Sequence, residues 1–127
     1  MNYYIKILKY KENILKCISV PPHRRLRILK KIMTIEISTK DYEKILNWDD
    51  AIFYCQLLVI DNKTDWRLPT IEELKDIYHS RNDFELGKYW SSTIDRQDGA
   101  WLHNFKSNNN YAFYKSERCY IRTVREL

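Results

Sequence analysis

From Asn47 to Leu58 the apolar residues Trp48, Ala51, Ile52, Cys55, Leu58 and Val59 recur at steps of three and four, the spacing of a helix with one buried face. Asn47 stands at the N-cap, and Asp49 and Asp50 fill the first turn, where carboxylates favour the positive end of the helix dipole. A second helix is expected from Ile71 to His79, with Leu74, Ile77 and Tyr78 turned inward. Its start is a capping box, Thr70 with Glu73 three residues later, and Pro69 stiffens the approach. Starting a helix does not require Trp66, Arg67 and Leu68 in the preceding "TDWRLPTIEEL", so these three must answer to a distant part of the fold.

Elsewhere the period is nearer two. Tyr3 to Tyr10 and Ile28 to Ile37 alternate imperfectly between apolar and charged residues and are rich in Ile and Tyr, which suggests strands separated by Pro21 and Pro22. "ENILKCISV" between them suits either a hairpin arm or a short helix. After "SRNDFELGK" come "YWSST", "AWLHNF", "YAFYK" and "CYIRTVREL", short and aromatic or β-branched, punctuated by the turn formers "DRQDG" and "KSNNN". Helices early and strands late argue for an α+β fold: two helices packed on small, mainly antiparallel sheets, with a basic β-rich extension in front. The division expected is residues 1–40 as that extension and residues 41–127 as the domain proper.

The ordered set "WDDAIFYCQLL", "DWRLPTIEEL", "YWSST", "AWLHNF" and "YIRTVR" resembles the C-terminal domain of the Legionella collagen-like protein, a family of C-type-lectin-like folds, over roughly residues 45 to 125. It is similar, more distantly, to the formylglycine-generating and sulfatase-modifying group and to the variable proteins diversified by retroelements. The resemblance implies that the "WRLPT" corner is scaffold, with Trp66, Leu68, Trp90 and Trp101 in the core and Arg67 paired with a buried carboxylate or carbonyl. Two departures stand out. The family's late cysteine, which can bridge the helix cysteine, is replaced by Thr123, with Cys119 four residues earlier; and the loop that commonly holds a glycine reads "KSNNN", where asparagine can supply the left-handed backbone. The first 40 residues lie outside the resemblance.

Composition narrows the function classes. A chain of 127 residues suits one packed core. No segment approaches the roughly 20 apolar residues that cross a bilayer, and the N-terminus scatters lysines where an export signal would have an uninterrupted apolar run, so a cytoplasmic, membrane-free protein is expected. Cys17, Cys55 and Cys119 show none of the paired spacings of zinc or redox motifs and read as buried thiols, with a Cys55–Cys119 bridge open if the fold brings them together. Residues 1–40 hold ten Lys or Arg against two acids, a local +8, while the remainder holds twelve against fifteen, a local −3. The cluster "HRRLRILKK", with Arg24, Arg25, Arg27, Lys30 and Lys31, can draw phosphate or an acidic protein, or can simply guard a strand edge.

Catalysis finds little support. No reactive cysteine pair of the formylglycine-generating kind is present, and Ser91 or Ser92 with His79 or His103 shows no supporting spacing. No metal or cofactor is expected: the "EPN" and "WND" signatures of calcium-dependent sugar binding are missing, and Asp95, Asp98 and Asn104 read as turn chemistry. The recognition surface expected is the stretch from Ile94 to Ser116, where Arg96, Gln97, His103, Lys106, Asn108, Asn109, Asn110, Tyr111 and Tyr114 mix aromatics with amides. A non-catalytic module that binds a macromolecule, most naturally a protein, is the first reading. A nucleic-acid-associated protein using the basic segment is the second, and a carbohydrate-binding lectin-like module the third. A chain heavy in Lys, Ile, Asn and Tyr with two glycines also suits a phage or mobile element.

Overall fold

A computed structural model describes residues 22–127. Helix α1 (Pro22–Met33) leads into strand β1 (Ile35–Ile37), a single 3-10 turn (Lys40–Tyr42) and β2 (Lys44–Leu46). Two further helices follow, α2 (Trp48–Leu57) and α3 (Ile71–Ser80). The remainder is β3 (Lys88–Arg96), β4 (Gly99–Asn104), β5 (Asn109–Tyr114), β6 (Cys119–Ile121) and β7 (Val124–Glu126). The larger sheet has the order β2-β6-β3-β4-β5 and is antiparallel apart from β3 with β6; β1 and β7 form a separate antiparallel pair. The fold is α+β. The strand expected at Tyr3 to Tyr10, the segment "ENILKCISV" and Cys17 lie outside the described residues.

Alternation along the strands divides the interior in two. On β3, Tyr89 enters a cluster with Ile28, Ile32, Ile35, Leu74, Ile77, Phe84, Phe105 and Val124, roofed by α1 and α3. Its neighbour Trp90 points the other way, into a cluster with Trp48, Ala51, Cys55, Leu68, Ala100, Leu102, Cys119 and Ile121 beneath α2. Both Trp90 and Tyr89 are fully buried.

The strand expected over Ile28 to Ile37 is a helix for most of its length. Ile28 and Ile32 are completely buried one turn apart, with Leu29 packed partly beside them, so the pattern there has the helical period, and only Ile35 to Ile37 pairs as strand. A helix beginning at Pro22 also fits proline's fixed φ and missing N–H. The basic front is therefore helical over these residues, not β-rich, and α1 contributes to the same core as α3. "CYIRTVREL" likewise splits into two strands, because Arg122 and Thr123 turn inward between them, at 1% and 0% exposure. Val59, expected on the buried face of α2, is exposed: the helix ends at Leu57 and Leu58 is already extended (ψ 128°), which carries the chain off the helical spiral.

The "WRLPT" corner is stitched to β7 and to β3. Arg67 and Val124 exchange backbone hydrogen bonds at 2.8 Å, and Ser92 N–H donates to the Pro69 carbonyl at 2.8 Å. Trp66 and Leu68 are buried, and the Arg67 fork donates to Glu73 Oε1 and Oε2 at 2.7 and 3.0 Å, to the Leu68 carbonyl and to Glu126. Glu73 simultaneously closes the capping box with Thr70. Burial by itself would raise the Glu73 carboxyl, but Arg67, the Thr70 backbone and Lys31 outweigh it and hold the group down to about 2.

Candidate functional site

Strands β3, β4 and β5 are joined by two turns, at opposite ends of β4, that carry most of the expected recognition residues. Arg96 closes β3 and Gln97 follows it, both exposed; the Gln97 carbonyl accepts from Lys115 Nζ at 3.1 Å. At the other end of β4, the Asn104 side chain accepts from the Lys106 N–H at 2.9 Å, and Asn108 takes φ 55°, so asparagine does supply the left-handed residue expected in this loop. Lys106, Asn108, Asn109 and Asn110 are exposed. Tyr114 is 64% exposed.

The strand period separates the two tyrosines. Tyr111 is half-buried, packs edge-on to Phe113 with centroids 6.1 Å apart, and leans on the core beneath α2. Ala112 and Tyr114 belong to the opposite face by alternation, where Trp101, paired in register with Ala112, is half-buried rather than core. His103 leaves the expected surface altogether. It is 2% exposed, 5.4 Å from the Tyr78 ring and 5.3 Å from that of Phe105, because residue 103 of β4 faces α3. Burial pushes its imidazole down to about 4, with the Asn108 side chain acting weakly in the other direction.

Beside the β3–β4 turn lies a hollow of about 330 Å³ lined by Asp95, Arg96, Asp98, Gly99, Ala112, Phe113 and Tyr114. Its floor is Gly99, where a Cβ would sit 3.6 Å from Asp95 Oδ2 and 3.5 Å from the Phe113 carbonyl oxygen. Two carboxylates against one guanidinium give this hollow an acidic lining in a chain of net charge +5.

The basic cluster is less available than its sequence suggests. Arg27 pairs with Asp76 Oδ1 at 3.3 Å and Lys31 with Glu73 Oε2 at 3.1 Å, and these two carboxylates are almost fully buried on α3. Arg27 and Lys31 therefore clamp α1 to α3. Arg24 and Lys30 are exposed and Arg25 is half-buried.

Sequence reasoning missed one polar centre. Arg122, without side-chain exposure, donates to Glu43 Oε2 at 2.8 and 3.1 Å, to Asp83 Oδ2 at 3.2 Å and to the carbonyls of Ser38 and Asp83, while its guanidinium lies 4.3 Å from the Phe84 ring centre. Tyr89 O–H donates to the same Glu43 oxygen at 2.7 Å. An arginine inside the otherwise strand-like "YIRTVR" was the available signal, but its partners lie 39 and 79 residues away. Arg122 and Glu43 are buried and Asp83 reaches the surface, and the several acceptors around the guanidinium read as architecture. Cys55 and Cys119 are free thiols in one core cluster, each pushed up to about 12 by burial, so both stay protonated at neutral pH. No group of three His, Cys, Asp or Glu side chains that could hold a metal ion occurs among the described residues.

Comparison with known families bears on this arrangement. A model of the Lcl C-terminal domain matches residues 27–125, most of the chain. The chain belongs to the Lcl C-terminal domain family. The match starts inside α1. No curated protein matches the chain.

Proposed function

We propose that this Lcl C-terminal domain is a non-catalytic, C-type-lectin-like binding module that recognises a protein partner through the β3–β4 turn, β5 and the β4–β5 turn. The observation carrying this reading is the exposure of polar and aromatic residues along the β4–β5 hairpin, Arg96, Gln97 and Tyr114 at one end and Lys106, Asn108, Asn109 and Asn110 at the other, in a sheet whose other members are pinned by core and corner. Rigid aromatics supply contact area at low entropic cost, and amides adapt their hydrogen bonds. The basic surface of α1 is the secondary contact, through Arg24 and Lys30.

The test is affinity capture from the native cell lysate with the intact chain and with a variant carrying Tyr114→Ala and Tyr111→Ala. Expected is a specific protein recovered by the first and lost by the second. Equal recovery by both would remove this surface from the function.

A further inference from the structure

Strand β5 forms one border of the larger sheet, and its outer side is unpaired among the described residues. Which main-chain groups point outward follows from the ladder. Lys115 N–H donates to the Asp98 carbonyl at 2.8 Å, and this pair continues the β4–β5 register in which Gly99 faces Tyr114. Hydrogen-bonded pairs alternate in an antiparallel ladder, so Phe113, Tyr111 and Asn109 bond inward to β4. The β3–β4 side agrees: Phe105 N–H donates to Gly87 at 2.8 Å, which sets the odd residues of β4 toward β3 and the even ones toward β5. The N–H and C=O of Asn110 and Ala112 are left facing out.

Soluble proteins usually blunt such a border with Lys, Pro, a bulge or a short strand. The opposite border does so, since β2 has three residues, begins with Lys44, and has its Ile45 carbonyl covered by Arg118 at 3.0 Å. β5 has six residues, "NNYAFY", with no charge, no proline and no register shift against β4. Beside it, on the side of the sheet where Ala112 and Tyr114 stand, lies the acidic hollow floored by Gly99.

We infer that β5 receives an extended segment of the protein partner by strand addition, with main-chain bonds to Asn110 and Ala112 and one Lys or Arg side chain of that segment seated in the hollow at Asp95 and Asp98. This rests on the reading of the C-terminal surface as the binding surface and specifies how the partner is held. Backbone pairing supplies affinity, and the hollow supplies selectivity for a cation between carboxylates and the Tyr114 ring. The β5 strand of a second copy, "NNYAFY", carries no cation of its own to match the carboxylates of the hollow.

The probe is a blocked pentapeptide, Thr-Val-Arg-Val-Thr, titrated into the full isotope-labelled chain, with a Glu-for-Arg version beside it. Expected are downfield shifts and slowed exchange of the Asn110 and Ala112 amides, with binding of the Glu version weaker by about tenfold or more. Ala112→Pro removes an N–H the fold does not use and should abolish the response at Asn110 with unchanged circular dichroism. Gly99→Ala, whose methyl meets only ordinary contacts on the hollow floor, should weaken the Arg peptide and leave the Glu peptide unaffected. Unshifted Asn110 and Ala112 amides, equal binding of both peptides, or protection of those amides in the peptide-free chain, whether from dimerisation seen in sedimentation or from the chain's own N-terminus, would overturn the inference. Lysate capture that needs Tyr111 and Tyr114 but survives Ala112→Pro would sink strand addition and leave the binding-module reading intact.

Discussion

His103 and Glu73 are two of the side chains through which this protein responds to acid. His103 is buried with its folded pKa at about 4 against an ordinary 6.5, so the unfolded chain binds the proton first. Its contribution to stability is complete above about pH 6.5 and is lost as pH falls toward 4, up to roughly 3 kcal/mol. Glu73, at about 2 against 4.5, contributes above pH 4.5 and loses that contribution as pH falls toward 2. Asp83 and Glu36, also lowered through their arginine and lysine partners despite burial, join the lower window. Urea unfolding at pH 7, 5 and 4 should therefore show a decline before the carboxylates titrate. His103→Leu should remove most of it, leaving a smaller slope from His79, whose protonation burial also disfavours. A variant with an undiminished decline between pH 7 and 5 would show that His103 is not its source.

At the scale of elements, α1 is held by apolar contact and by two ion pairs whose acidic members are buried on α3. Removing α1 would leave Glu73 to Arg67 alone and Asp76 without its cation, along with an open face at Leu74 and Ile77. Ile32→Ala should cost about 2–5 kcal/mol in global unfolding, the range for truncating a fully buried isoleucine. If α1 were a loosely attached extension, the same change would shift the midpoint by only a few tenths of a kcal/mol. Urea melts followed by tryptophan fluorescence report the difference, because the four tryptophans lie outside α1.

For the molecule as a whole, the choice between a protein partner and nucleic acid turns on charge that is free to leave its present contacts. Arg27 and Lys31 are committed to α3, so phosphate binding by α1 would fall to Arg24 and Lys30, beside the half-buried Arg25. Reversing both, Arg24→Glu with Lys30→Glu, should leave any duplex DNA binding and its salt dependence unchanged. A salt slope reduced by about two on reversal would assign those residues to phosphate contacts and favour the nucleic-acid reading. Fluorescence anisotropy at rising salt is the measurement.

Sequence alone determined what local chemistry controls. Both caps, at Asn47 and Thr70, the two central helices, the four late aromatic segments and the asparagine-built turn at Asn108 follow from residues within a few positions of each other. The role of Arg67 was legible through resemblance, since its main partner Glu73 is six residues away. Tertiary structure decided the rest. Whether Ile28 to Ile37 ran as helix or strand depended on α3 offering a face for Ile28 and Ile32; His103 and Trp101 are separated by which stretch of the sheet α3 covers; and Arg122 is buried because Glu43 and Asp83 arrive from loops distant in sequence. Periodicity shows that a residue has a preferred side. Only packing shows whether that side meets another element or water.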